Sequence, residues 1–149
     1  MNPSPLVTLG WREWLALPEL GIPRIKAKVD TGARTSALHA FFVEGFRQGG
    51  RERVRFGVHP LQQREDEALI CVADVLDRRM VTDSGGHRQK RWVIRTRAVL
   101  GVLEKDIELT LTARDSMRFR MLLGRTALAG GFLVDSARSY QLGNPGGTP

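Results

Sequence analysis

The sequence predicts a mainly β fold with one short helix near its C-terminus, and three observations support this fold class. Apolar and polar residues alternate over short segments, which is the period-two pattern of half-buried strands. Turn-rich stretches such as Leu17–Pro23 and Gly49-Gly50 separate these segments. The length of 149 residues, with 42% hydrophobic and 26% charged residues, is typical of one compact globular domain.

The individual elements follow from these patterns. Six segments are predicted as strands: Val7–Trp14, Ile25–Val29, Val54–Val58, Glu67–Val75, Trp92–Val99 and Ile107–Leu111. A short helix is expected near Thr126–Ala129, and a loop over Gln62–Asp66. No internal repeat or second-domain boundary is visible, so we expect one domain over residues 7–140. Residues 141–149, which include the Gly/Pro-rich stretch Asn144–Pro149, are expected to form a flexible tail.

The motif Asp30-Thr31-Gly32-Ala33 follows the apolar stretch Ile25–Val29. A DTGA loop that leaves a short strand is how aspartic peptidases present their catalytic carboxylate. The tripeptide alone is also ordinary turn chemistry, in which Asp caps the backbone and Gly takes a positive φ. Catalysis would need two carboxylates about 3 Å apart that share one proton. Because the chain has one such motif, the second Asp30 would come from another copy, which predicts a homodimer.

A second motif near the C-terminus, Met121–Leu128, is an apolar run that passes through Gly124-Arg125 into a segment with helical potential. The order of the DTGA motif, a β-rich middle and this run resembles the retropepsin-like peptidases. The block Ala27–Ala40 is similar to the bacterial family often labelled ATP-dependent zinc proteases. Further similar stretches are Arg79–Gly86, Arg91–Ile94, Leu109–Thr112, and Met117 with Leu123-Gly124-Arg125.

The resemblance implies a retropepsin-like closed β-barrel that acts as a homodimer, with Asp30 from each subunit activating a water molecule. Thr31 would hydrogen-bond beneath the aspartates, and Gly32 would permit the tight loop backbone. Ala33 and Arg34 would line the cleft or the subunit interface. Gly124 and Arg125 would support the active loop, because in retropepsins the matching arginine braces that loop. Ser36 and His39 would either act near the loop or be ordinary satisfied or surface residues.

The segment Arg79–Ile94 is predicted as a hairpin with a glycine turn. By the resemblance this hairpin would be the flap that closes over substrate, with Arg79, Ser84, Gly85 and Arg91 in contact with it; the alternative is an exposed hairpin without that role. From Arg78 to Arg97 there are seven basic residues and one acidic residue, in a chain of net charge +7. Such a segment would attract an acidic peptide, or it is simply a solvated face.

The family resemblance also suggests a substrate, since related proteins are similar to peptidases that work beside ATP-grasp ligases adding glutamates to a ribosomal protein. A basic peptidase would suit a polyglutamate-tailed or otherwise acidic protein. The alternative from another functional class is a non-catalytic module that keeps the fold and binds acidic peptides. Nucleic acid is the rival anion, but the chain lacks C₂H₂ and RNP1-type patterns.

The sequence predicts no cofactor and no metal site. His39, His59 and His87 are far apart in the sequence, and no paired-Cys, H-E-x-x-H or phosphate-loop motif is present. The single Cys71 is expected to be a small buried hydrophobe. No apolar run approaches the length of a membrane span, and no secretory signal pattern is visible. These observations favour a cytoplasmic protein without membrane contact.

Overall fold

A computed structural model of the protein describes residues 7–61, 68–82, 85–113 and 119–143. Within these ranges the fold is mainly β, as predicted, with one short α-helix, α1 (Arg125–Leu128), and a 3₁₀ turn at Pro18–Leu20. The strands are β1 (Val7–Leu9), β2 (Arg12–Leu17), β3 (Ile22–Asp30), β4 (Ser36–Ala40), β5 (Phe42–Gln48), β6 (Arg51–Val58), β7 (Leu69–Asp74), β8 (Asp77–Thr82), β9 (Arg88–Leu100), β10 (Leu103–Ala113), β11 (Met121–Gly124) and β12 (Phe132–Val134).

Most predicted strands are present with longer bounds, but the prediction of one strand over Val7–Trp14 was wrong. The extended segment is interrupted at Gly10-Trp11, which lie between the end of β1 and the start of β2. At this point the backbone of Arg138 packs directly against Gly10, and Trp11 donates its N–H to the Arg138 carbonyl over 2.8 Å. The C-terminal segment therefore separates the two strands, which no local pattern could indicate. Strands β4, β5, β11 and β12 were not predicted as strands.

Some expectations fall on residues outside the described ranges. These are the predicted loop Gln62–Asp66, the first residue Glu67 of a predicted strand, Ser84, Met117, and the part Asn144–Pro149 of the predicted tail 141–149. The glycine turn at Gly49-Gly50 is confirmed, since both residues have positive φ values of 58° and 79°. In the described part of the chain no helix has the length and apolar character needed to span a bilayer.

The largest sheet brings the DTGA loop and the C-terminal apolar run together. Its strand order is β10-β4-β11-β3-β2-β9-β8, and β10 also pairs with β9, so the strand pairings return to β10. In this sheet β11 lies between β3, to which it is parallel, and β4, to which it is antiparallel. The parallel register places Gly124 beside Asp30. Two smaller sheets, β1-β12 and β5-β6-β7, complete the described fold.

The core is formed by the inward-facing residues of these strands. On β3 the side chains of Ile25, Ala27 and Val29 are buried, while residues 24, 26, 28 and 30 are at least partly exposed. This alternation is what a sheet with one buried face requires. Cys71 is confirmed as a buried residue; its Sγ donates to the Leu20 carbonyl over 3.2 Å, and burial raises the pKa of the thiol to about 11.

Candidate active site

The DTGA motif forms a tight turn at the end of β3. The Asp30 carboxylate accepts a hydrogen bond at Oδ1 from the Gly32 N–H over 3.0 Å, and the Ala33 N–H donates to the Asp30 carbonyl over 3.2 Å. A side chain at position 32 would put its Cβ 3.2 Å from Asp30 Oδ1, closer than ordinary packing allows. Glycine at this position therefore lets the backbone approach the carboxylate. Asp30 itself is half-buried, and Thr31 is exposed.

The chain around α1 holds the far side of this turn. Arg125 donates from its backbone N–H to the Ala33 carbonyl over 2.8 Å and from Nη1 to the Gly32 carbonyl over 3.3 Å. Thr126 donates to the Arg34 carbonyl from both its N–H and its hydroxyl, over 3.1 and 2.8 Å. Three successive loop carbonyls are thus satisfied by two residues at the start of one helix, which fixes the course of the loop.

Ser36 and Gly124 form a second connection behind the turn. The buried Ser36 hydroxyl accepts the Gly124 N–H over 3.0 Å. A Cβ at position 124 would lie 2.7 Å from the Thr35 carbonyl carbon, so the absence of a side chain is what allows this approach. Ser36 is therefore a buried hydrogen-bonding residue of the loop support and not a surface residue.

A cavity of about 1100 Å³ opens beside Asp30. Its walls come from the DTGA loop, the hairpin of β8 and β9, and strands β4, β10 and β11. The lining includes Asp30, Gly32, Ala33, Arg34, His39, Arg79, Arg91, Asp106, Glu108, Thr110, Leu122 and Thr126. The structure thus brings six of the predicted site residues around one space. Thr31, Gly85, Gly124 and Arg125 do not line it, and Ser84 is outside the described residues.

The hairpin predicted over Arg79–Ile94 is present as the antiparallel pair β8 and β9, with Thr82 opposite Arg88. Gly86 at its turn has a φ of 83°, which favours glycine. Residues 79–82 of β8 line the cavity beside Asp30. The hairpin is therefore adjacent to the candidate site, as a lid would need to be.

The charge on this hairpin is more balanced than the sequence window indicates. Arg79 donates from Nη1 to Glu108 Oε1 over 2.6 Å and from Nε to Asp77 Oδ2 over 2.8 Å. Arg97 Nη1 lies 3.4 Å from Glu104 Oε2. The Arg78 guanidinium lies 3.7 Å from the centre of the Trp92 ring. Carboxylates of β10, a neighbour in the sheet, therefore neutralise part of the basic run.

These contacts shift the ionisation of the partners. Hydrogen bonding from Arg79 holds the pKa of Glu108 below its usual value, and does the same for Asp77, where the Arg78 backbone N–H adds to the effect. Hydrogen bonding to Glu108 and then Asp77 raises the pKa of Arg79. The three groups are accordingly charged at neutral pH.

Sequence reasoning missed the two carboxylates that β10 adds to the cavity, Asp106 and Glu108. Both alternate with the buried residues Ile107 and Leu109, so their shared face was visible in the period-two pattern.

The sequence analysis also left the role of His39 undecided. His39 is buried, lines the cavity, and has its Nδ1 2.7 Å from Thr112 Oγ1. Across the described ranges, no group of three His, Cys, Asp or Glu side chains is arranged to hold a metal ion.

Comparison with known proteins decides the family. A family model described as RimB-like, retropepsin-like aspartic endopeptidase RimB, matches residues 8–144. The chain belongs to this family. The family match spans both the DTGA loop and the Gly124-Arg125 segment that supports it.

Curated relatives of this RimB-like chain carry a different name. Probable alpha-L-glutamate ligases of Shewanella pealeana and Desulfotalea psychrophila are both 46% identical to it, over 138 and 135 residues. These alignments cover 93% and 91% of this chain but 30% and 29% of the relatives. The chain thus spans less than a third of the curated relatives that it matches.

A solved structure has the same fold. It is the crystal structure of a Legionella pneumophila protein of unknown function, with a TM-score of 0.74 and 24% sequence identity. The match covers 91% of this chain and 98% of that one. At this identity the likeness concerns the fold alone.

Proposed function

We propose that this RimB-like protein is an aspartic endopeptidase whose active site forms from the Asp30 carboxylates of two identical subunits. The observation that carries the proposal is the position of Asp30, on a glycine turn held by Arg125 and facing a large cavity. The family match supports the same reaction. The proposal includes closure of the main sheet into a barrel, the domain bounds 7–140 and a cytoplasmic location.

The chemistry would need no covalent intermediate. With one Asp30 protonated and its partner ionised, the ionised carboxylate removes a proton from water as the water oxygen attacks the scissile carbonyl carbon. The protonated carboxylate gives its proton to the carbonyl oxygen. Collapse of the tetrahedral intermediate breaks the C–N bond. The carboxyl that took the water proton gives it to the departing nitrogen, and the other carboxylate takes back a hydroxyl proton from the gem-diol, which restores the singly protonated dyad. The dyad would titrate as a coupled pair, so that one proton is retained at the working pH.

The proposed substrate is an acidic or polyglutamate-tailed protein. Arg34 and Arg91 line the cavity beside Asp30 and can make bidentate contacts with carboxylates. The curated relatives are named glutamate ligases, and a hydrolase that shortens glutamate tails acts on the product of such chemistry. Gly85 would serve the flap turn without touching the cavity wall. A functional link to an ATP-grasp ligase is part of this proposal.

A binding module for acidic peptides is the second candidate. It is favoured by the ligase names of the relatives, since a segment forming 30% of a ligase could hold its acidic product without cutting it. Such a module would use the same cavity and would have no need for the Asp30 carboxylate.

The test is mass spectrometry of an oligoglutamate-tailed peptide incubated with wild type, Asp30→Asn and Asp74→Asn in EDTA. Asp74→Asn is the matched control, because it removes one carboxylate that pairs with Arg51 and Arg53 on β6. Peptidase function predicts shortened tails from wild type and the control, and none from Asp30→Asn. Equal cleavage by Asp30→Asn excludes the aspartic mechanism. Binding without cleavage by all three proteins supports the module. Sedimentation of the wild type tests the homodimer.

A further inference from the structure

A row of cations runs along the outer face of β3 and ends at Asp30. Arg24, Lys26 and Lys28, which we term the basic row, alternate with the buried residues Ile25, Ala27 and Val29. Asp30 has the same parity as these three cations. In an extended strand such residues share one face and follow each other at about 6.6–6.8 Å.

The near end of the basic row borders the candidate cleft. The parallel register of β11 and β3 places Leu122 beside Lys28 and Gly124 beside Asp30. Leu122 lines the cavity, and the antiparallel register of β11 and β4 places Ala37, another lining residue, on the far side of Leu122. Lys28 is exposed. The cavity wall therefore continues laterally into the basic row.

Aromatic rings organise the cations of this face. The Trp14 ring lies 5.4 Å from the Arg24 guanidinium and 5.1 Å from Lys26 Nζ. Lys26 Nζ also lies 5.5 Å from the centre of the Tyr140 ring, which stacks on Trp14. The guanidinium of Arg12, which is opposite Lys28 in the β2–β3 register, lies 4.9 Å from the centre of the Tyr140 ring. Cationic side chains that ring contacts already hold in place lose less side-chain entropy when they bind an anion.

The charge of this face differs from that of the other basic surfaces. On β6, Arg51 and Arg53 pair with Asp74, and Arg55 pairs with Glu44. Within the residues that the structure describes, no carboxylate lies within ion-pair distance of Arg24 or Lys28. Arg24 and Lys28, at the two ends of the row, thus offer positive charge that no described carboxylate neutralises.

We propose that the basic row is an exosite for the extended acidic segment of the substrate, continuous with the Asp30 cleft. An extended acidic peptide presents alternate carboxylates on one face at the same spacing of about 6.6–6.8 Å as the cations, so successive carboxylates can meet Lys28, Lys26 and Arg24. From Asp30 to Arg24 the strand covers about 20 Å. An acidic segment must therefore extend about six residues beyond the cleft to contact the whole row. This inference rests on the proposed function for the identity of the substrate.

The exosite is tested by fluorescence anisotropy with labelled tetraglutamate and decaglutamate peptides at physiological salt. The proteins carry Asp30→Asn so that no cleavage intervenes. The triple variant Arg24→Gln, Lys26→Gln and Lys28→Gln is compared with the matched triple variant Arg47→Gln, Arg51→Gln and Arg55→Gln, which loses the same charge. Circular dichroism checks that both variants are folded.

We expect the row variant to weaken decaglutamate binding at least tenfold and tetraglutamate binding less than threefold, and the matched variant to change either less than twofold. Equal losses in the two variants, or no loss in the row variant, overturn the exosite. A labelled dT10 oligonucleotide that binds the row more tightly than decaglutamate also overturns it, in favour of nucleic acid.

Cleavage assays with Asp30 intact separate this inference from the function on which it rests. Row-dependent decaglutamate binding without any cleavage contradicts the peptidase and leaves the exosite standing. Cleavage at a rate that is the same for long and short tails, and unaffected by the row variant, contradicts the exosite and leaves the peptidase standing.

Discussion

Arg79 on β8 and Glu108 on β10 join the hairpin to the wall of the cavity through a hydrogen bond of 2.6 Å. Both side chains are about one-third exposed, at 39% and 33%. The Glu108 carboxylate binds the Arg79 guanidinium, which the sequence analysis assigned to substrate contact. An acidic substrate that used Arg79 would have to displace this carboxylate. The position of the hairpin therefore affects the pKa of Glu108, a carboxylate that lines the cavity.

The first prediction concerns the pH dependence of this pair. The pKa of Glu108 is lowered from its usual value of 4.5, mainly by the hydrogen bond from Arg79. The stability contributed by the pair is therefore fully present above pH 4.5 and is lost as the pH falls through the lowered pKa. For a partly exposed pair this contribution is about 0–1 kcal/mol.

The measurement is an NMR titration of the Glu108 side-chain carboxyl carbon. Arg79→Ala is expected to move the titration midpoint upward, while Arg91→Ala, which removes another arginine from the same cavity, leaves it in place. A midpoint that does not respond to Arg79→Ala would show that the pair is not formed in solution.

The second prediction concerns the close approach at Gly124. In Gly124→Ala the added Cβ meets the Thr35 backbone at 2.7 Å, and overpacking of this kind costs about 1–3 kcal/mol. Gly131→Ala is the matched control, because nothing lies within 4 Å of its added Cβ. Thermal unfolding should show a lower Tm for Gly124→Ala alone. Similar Tm values for the two variants contradict the close packing.

The third prediction concerns the buried carboxylate of Glu13, which connects the C-terminal segment to the start of β2. Glu13 accepts backbone N–H groups of Gly10, Gln141 and Leu142 over 2.6, 2.8 and 3.0 Å. In Glu13→Gln an NH₂ group replaces one carboxylate oxygen. This NH₂ group is a donor, and it would face a backbone N–H, which is also a donor. Loss of a hydrogen bond to a charged group costs about 1.5–3 kcal/mol.

Urea unfolding measures this cost as a lower free energy of unfolding. Glu44→Gln provides the comparison, because it removes an exposed carboxylate that pairs only with Arg55 among the described residues and should change stability by less than about 1 kcal/mol. An unchanged free energy of unfolding in Glu13→Gln would mean that water replaces its contacts.

Much of the fold class was accessible from sequence because strand periodicity is local. The alternation in Ile25–Val29 predicted a strand, and the structure confirms it as part of β3. The break at Gly10-Trp11 was not accessible, because its cause is the packing of Arg138, more than 120 residues away. The short β12 is a strand through its parallel pairing with β1, a partner at the opposite end of the chain.

The sequence by itself determined the turn that presents Asp30, because Asp, Gly and their spacing are sufficient for the short-range hydrogen bond between residues 30 and 32. Only the tertiary structure decided what surrounds that carboxylate. Gly124 and Arg125 reach the loop across 88 and 93 residues of chain, and Glu108 meets Arg79 across 29. Such contacts depend on which strands become neighbours in the sheet, and strand order is set by the packing of the whole core.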